Sequence, residues 1–417
     1  MIQGPEAGHE DRAPTEPLPV RRAVVSVALG AAAYGLFVLL RRQPGHPLQE
    51  VVTAPGAAVS SVLGRLSSLS PVPVAELGLL LLLLLWGFTF ARALGRTRSG
   101  GGGARRALGA GGLRVVSDIG LLAFFFYALW GFGYAAGPLD ERLGLDRAPI
   151  SPHEVRGLAE EMVRAANEEY LRIHGSPDAG VPTSVSSNPG PLAAALDEGW
   201  RLAGAELGLD GLRTYRHAPP RTLRLGSPIR HLGVSGIYVP FTGEAFVLHD
   251  LPAVALGKAL AHETAHQRGV AHESDANFLG YVVASRSPDP LLRYSAYVFA
   301  QRQLLNALAR TDPEARDALA EERLPGVQRD AIDLRRFWQR VEGMGTRLGT
   351  QVNHAYLQQQ GIPEGVQSYG GSLTSLVRYA RSRGGTLLAL DGAAAEVADS
   401  SVEEESGRGD AATGGSR

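Results

Sequence analysis

The sequence predicts a mostly helical α+β protein, with three N-terminal transmembrane helices followed by a soluble domain carrying a small β-sheet. Three observations predict this. Apolar runs of spanning length occupy residues 23–40, 74–91 and 115–136 and do not recur later. Residues 221–250 are rich in β-branched and aromatic side chains bounded by Gly and Pro, which reads as short strands. Long helical patterns fill most of the rest.

Residues 1–20 are polar and Pro-rich and predict a disordered cytoplasmic tail. The first run, 23–40, has no charge and is flanked by Arg21-Arg22 and Arg41-Arg42. It is long for the core of a signal peptide and ends in a double Arg instead of a small-residue cleavage site, so it reads as an anchor. The second, 74–91, contains an unbroken leucine stretch, 79–85, and a single charge, Glu76, near its start. The third, 115–136, is rich in Phe, with Asp118 near its start and Tyr127, Trp130 and Tyr134 towards its far end. Each is long enough to cross a hydrocarbon layer of roughly 30 Å, and the terminal aromatics suit interfacial belts.

Basic residues set the orientation. Arg92, Arg96, Arg98, Arg105, Arg106 and Arg114 lie between the second and third runs, around a glycine linker at 100–103. The loop between the first two has only Arg41, Arg42 and Arg65. The positive-inside rule puts the N-terminus and the Arg-rich loop in the cytoplasm. The expected organisation is therefore a tail (1–20), a membrane domain (21–137), an extracytoplasmic domain (138–390) at a bacterial inner membrane, and a disordered acidic tail (391–417).

The formal net charge is -1, with bases crowded into the first third and acids into the tail, a balance that argues against nucleic-acid binding. Cysteine is absent, so disulfides and thiolate ligands are excluded, and any metal site must use His, Asp or Glu.

In the soluble part, residues 151–174 form a predicted amphipathic helix with Ser151 as N-cap and Pro152 in its first turn. Residues 192–207 form a second. Strands are expected at 222–225, 237–239 and 245–248, and later helices at 295–310, 330–348, 351–360 and 372–382. A helix starting near Ala253 carries His262-Glu263-Thr264-Ala265-His266. His262 and His266, one turn apart, share a face and can reach one ion. Glu263 is rotated by roughly a third of a turn, where a carboxylate can activate a water. This is the HExxH pattern of zinc peptidases, and no apolar run of spanning length surrounds it.

Two His make half a tetrahedral site, and a catalytic zinc takes a third protein ligand plus water. The string 262–272 satisfies the metzincin spacing, with His272 as third ligand. Alternatively, Glu273 opens Glu273-x-x-Ala276-Asn277, like the ligand helix of Glu-zincins, with Asn277 supporting the ligands from behind. A continuous helix would put residue 273 about 10 Å along the axis from His266, so Gly269 must reverse the chain. The poor Met-turn candidate at Met344 favours Glu273. Residues 236–244 precede the helix and could offer an edge strand to an extended substrate. Glu244 reads as a solvated turn carboxylate, and His217, His231 and His249 as surface histidines.

The blocks 235–244, 262–269 and 273–278 resemble the bacterial domain-of-unknown-function family 3810, whose members are membrane-anchored with a predicted zincin-like domain. Similar blocks are Leu129-Trp130-Gly131-Phe132-Gly133-Tyr134, Asn353-His354-Ala355-Tyr356-Leu357 and Gly365-Val366-Gln367-Ser368-Tyr369-Gly370. The chain departs at Gly133, where the family usually has Asn, and at Asp275, where Glu is usual. The resemblance implies one Zn²⁺ on His262, His266 and Glu273, with Glu263 as the catalytic carboxylate.

The expected function is that of a membrane-anchored zinc peptidase acting on a peptide or protein. Tyr356, Tyr369 and His354 are candidate oxyanion or substrate contacts. The competing expectation is a non-catalytic sensor or scaffold with a structural zinc closed by a fourth ligand, His272.

Overall fold

The computed structural model describes residues 19–43, 48–98, 104–184, 190–209, 218–224, 229–360, 362 and 371–389. Their elements are α1 (Val20–Leu40), α2 (Leu48–Ser68), α3 (Val74–Arg98), α4 (Ala104–Leu129), a 3₁₀ turn (Gly131–Ala135), α5 (Leu139–Arg142), α6 (Pro152–His174), α7 (Gly190–Glu206), β1 (Arg221–Leu223), β2 (Gly236–Val239) and β3 (Glu244–Leu248). There follow α8 (Ala253–Gln267), α9 (Glu273–Ser285), α10 (Pro290–Thr311), α11 (Pro313–Glu321), α12 (Pro325–Val341), α13 (Met344–Gln359) and α14 (Gly371–Ser382). The described residues are mostly helical with one small sheet, and α1, α3 and α4 are long and apolar enough to cross a membrane. Residues 1–18 of the expected N-terminal tail, the tail 391–417, Tyr369 and His217 lie outside the described residues, and Val20, expected in the tail, opens α1.

The chain divides into two compact units. The first, Met1–Leu36 with Gly78–Tyr127, holds most of the three apolar helices. There Ser26 and Ser117 share a hydrogen bond of 3.0 Å, and Asp118 accepts from Arg22 at 3.0 Å and from the Trp86 indole at 3.2 Å. Asp118 is thus a paired structural carboxylate.

The second unit joins Phe37–Leu77 to Ala128–Arg417. Its core is helical: α8, α9 and α10 pack on one another, with α6 behind α10 and α7 against α9. Tyr170, Trp200, Leu260, Phe278, Leu279, Tyr281 and Tyr294 are fully buried there; each aliphatic one stabilises the fold by about 1.5–3 kcal/mol. Helix α6 starts as its sequence dictates, with Ser151 and Glu154 forming a capping box. The sheet order is β1-β3-β2, β1 parallel and β2 antiparallel to β3, leaving β2 at an edge beside α8.

Three elements differ from the sequence reading. The segment between the first two apolar helices is not a plain loop. It carries α2, which packs on the 3₁₀ turn, β3 and α8. The third apolar run is not helical to residue 136: α4 stops at Leu129 and Gly131-Phe132-Gly133 tightens into a 3₁₀ turn, because glycine is a weak helix former. The helix expected at 330–348 breaks at Glu342 and Gly343 for the same reason, separating α12 from α13.

Glu244 overturns its reading as well. It is 2% exposed and accepts from the Val74 and Ala75 N–H groups at 3.1 and 2.8 Å, capping the first turn of α3. Arg221, on the neighbouring strand, pairs with it at 3.4 Å and donates to Ser67, Ser68, Ser70 and Val72 carbonyls at and just beyond the end of α2. A carboxylate at a helix N-terminus and a guanidinium at a C-terminus each oppose the local helix dipole.

Candidate metal centre

Helix α8 ends in a Schellman turn, and that turn builds the site. Gly269 has φ +90°, the Val270 N–H reaches back to the Ala265 carbonyl at 3.1 Å, and the Gly269 N–H to His266 at 2.9 Å. The reversal leaves the Val270 carbonyl 2.7 Å from His266 Nδ1. A carbonyl only accepts, so Nδ1 carries the proton and Nε2 points its other function at the cluster. His272 then serves as the N-cap position of α9, and Glu273 opens that helix.

His262 Nε2 and His266 Nε2 lie 3.2 and 3.6 Å from Glu273 Oε2, and one ligand atom from each of the three residues falls within 4.8 Å of the others. Ligands of one tetrahedral zinc, each about 2.0–2.2 Å from it, stand about 3.3–3.6 Å apart. These three side chains could therefore hold a metal ion. His272 turns away: its Nε2 donates to the Ala136 carbonyl at 2.9 Å, and its ring lies against Tyr134. No convergence on the cluster involves it.

Glu263 is 3% exposed and packed on the edge strand. A Cβ on Gly236 would run into the Phe246 carbonyl of the neighbouring strand and fall 2.6 Å from Glu263 Oε1, so glycine at the start of β2 leaves room for both the strand pairing and this carboxylate. Burial pushes the Glu263 carboxyl up to about 8. Burial opposes ionisation at His266 and at Glu273 too. Their mutual attraction overrides it, raising the imidazole above and holding the carboxyl below its ordinary range. A cation bound by the pair would take the place of the imidazole proton.

Lys258, one turn before His262, was not singled out by sequence. Its Nζ lies 3.4 Å from His262 Nδ1, donates to Asn277 Oδ1 and sits 4.5 Å over the Phe299 ring. Burial lowers its ammonium to about 7, assisted by Arg302. Asn277 therefore meets the ligand set through Lys258 instead of touching a histidine itself. The i−4 spacing from a motif histidine was the available signal.

The 3₁₀ turn supplies an aromatic wall. Trp130 lies 5.4 Å from His266 and 5.1 Å from Tyr238, edge-on to the imidazole. The Tyr356 hydroxyl meets that of Tyr134 at 3.2 Å, which ties this candidate contact to the wall. His354 sits half-buried on α13 and is not part of the ligand group. Tyr369 lies outside the described residues.

Among the described residues, fold and cluster together define a protein with three apolar helices fit to cross a membrane and a group of two buried histidines and the half-buried Glu273 that could hold a metal ion. The chain belongs to the family described as Protein of unknown function (DUF3810), which matches residues 57–377. No curated protein and no solved structure matches it.

Proposed function

We propose that this protein is a membrane-anchored zinc peptidase whose cluster-bearing part faces away from the cytoplasm. The convergence of His262, His266 and Glu273 beside the buried Glu263 carries this reading. Two imidazoles and one carboxylate suit Zn²⁺, and among the described residues no fourth side chain joins them, His272 being engaged elsewhere, so three donors fit a catalytic site better than a closed structural one. The arginines in the adjoining ends of α3 and α4, Arg92, Arg96, Arg98, Arg105, Arg106 and Arg114, support the orientation.

When bound, the ion would lower the pKa of a water towards neutrality and polarise the scissile carbonyl. Held ionised by the positive charge beside it, Glu263 would accept the proton of the attacking water and pass it to the leaving amine. Gly236 fixes where that carboxylate rests, and the β2 edge offers main-chain hydrogen bonds to an extended peptide. Tyr356 is the remaining described phenol among the oxyanion candidates.

The test is metal analysis and casein cleavage by wild type and Glu263→Gln. About one zinc per chain is expected in both, with cleavage in wild type alone. Cleavage that survives Glu263→Gln would overturn the mechanism.

A further inference from the structure

Helix α2 has two unlike faces. Gly56, Ser60, Gly64 and Ser67 are buried, at steps of four, four and three. On the opposite face Leu48, Val51, Val59, Val62, Leu66 and, just past the helix, Leu69 are exposed, Val51 by 64% and Leu69 by 80%. Steps of three and four repeat along this face too, so the exposed side chains form one stripe about 30 Å long. A stripe of that size on a water-facing surface would be unfavourable.

Chain continuity says what covers it. Leu40, Val74 and Leu129, one end of each apolar helix, all belong to the same compact unit as α2. Short connections join α2 to Leu40 on one side and to Val74 on the other, and Glu244 and Arg221 pin the second connection. A helix tied at both ends to the ends of membrane-spanning segments lies at the level of the bilayer surface.

The metal cluster is close behind. A Cβ on Gly64 would sit 2.7 Å from the Gly243 carbonyl, and that carbonyl accepts at 2.9 Å from Gln267, the residue after His266. Trp130, against His266, is the first residue beyond Leu129.

We propose that α2 lies in the membrane surface with its apolar stripe among lipid chains, and that the cluster therefore acts on the surface-level segment of a membrane-anchored polypeptide. The second half rests on the peptidase reading. Packed helices stand 8–10 Å apart, and an interfacial helix sinks about 5–10 Å. An extended chain leaving the bilayer at ~3.3 Å per residue reaches the cluster within about ten residues.

Since the chain has no cysteine, a fluorophore on Val62→Cys is a single reporter. In nanodiscs, brominated lipids should quench it and aqueous iodide should not. The reverse is expected for Val181→Cys, on an exposed loop of the soluble part. Quenching of the Val62 label by iodide would mean a water-facing stripe, and shielding from both agents a protein partner or second copy; either overturns the placement of α2. In proteoliposomes, a lipid-tethered unstructured polypeptide of ~60 residues should be cut within about ten residues of its anchor, as mapped by mass spectrometry. Cuts spread along its length, or none while casein is cleaved, would sink the substrate class but leave the peptidase reading. No cleavage of casein or the tethered chain would remove the peptidase reading and the substrate class together, while quenching still decides the placement of α2.

Discussion

Helix α9 begins with Glu273 and is followed directly by Arg286 at its C-cap, and the two charges live in opposite kinds of surroundings. At its C-terminal end Arg286 donates to Glu206 at 2.8 and 3.2 Å, to Ser285 and Tyr379 at 2.9 Å each, and to the Leu387 carbonyl at 3.2 Å. Arg383 adds a second cation to Glu206 at 2.9 Å. Burial works against these ions, and the pairing outweighs it, holding the carboxylate low and the guanidinium high. At the N-terminal end, Glu263 and Lys258 are pushed towards their neutral forms and donors crowd towards one point. A network that satisfies every charge holds a fold together. A cluster of converging, half-satisfied groups is poised to bind something.

Breaking the paired end should cost most. Arg286→Ala leaves Glu206 with Arg383 alone, so a loss of about 3 kcal/mol is expected, the low end for a buried pair, measured as chemical unfolding in detergent. Zinc binding should be nearly unaffected by it. At the other end, Glu273→Ala should weaken zinc at least ~100-fold, about 2.7 kcal/mol, judged against the 10–100-fold typical of outer contacts. Competition with a chelator measures this, and a His272→Ala protein that loses zinc instead would reverse the ligand assignment.

A smaller effect tests the placement of the base. Gly236→Ala pushes β2 off the Phe246 carbonyl and Glu263 aside together, so casein turnover should fall by ~10–100-fold with zinc content unchanged. Turnover equal to wild type would show that the edge strand does not position the carboxylate. The smallest effect concerns the paired surface between α6 and α14. Arg381 and the Ser151 N–H hold Glu154 down to about 2, from an ordinary 4.5. A depressed carboxyl stabilises the fold above its unfolded value and loses that contribution as pH falls through the folded one. The melting temperature of Arg381→Ala should therefore lie slightly below wild type at pH 7, and the gap should close between pH 4.5 and 2. A gap constant with pH would assign it to packing.

What was legible in the chain was local. The spacing of His262 and His266, the capping box of Ser151 and Glu154, and the reversal at Gly269 follow from helix geometry and backbone sterics, which a few neighbouring residues set. Composition limited the donors to His, Asp and Glu, and hydrophobic runs marked α1, α3 and α4. Helix α2 escaped notice because its buried face is small residues, Gly56, Ser60 and Gly64, and its apolar face is exposed, the reverse of a globular helix.

Tertiary structure decided the rest. Glu244 resembles any turn carboxylate until the first turn of α3 comes to it from 169 residues away in sequence. Spacing alone sets Lys258 beside His262, but only the fold brings Asn277 from α9 and Phe299 from α10 onto its ammonium. Trp130 and Tyr134 read as interfacial aromatics by sequence, and the fold brings Trp130 against His266 of the cluster and Tyr134 against His272 beside it. Residue types and periodicity fix which groups can ligate and which helices are apolar. The neighbours that desolvate, orient and pair those groups arrive from distant parts of the chain, so only the folded arrangement sets them.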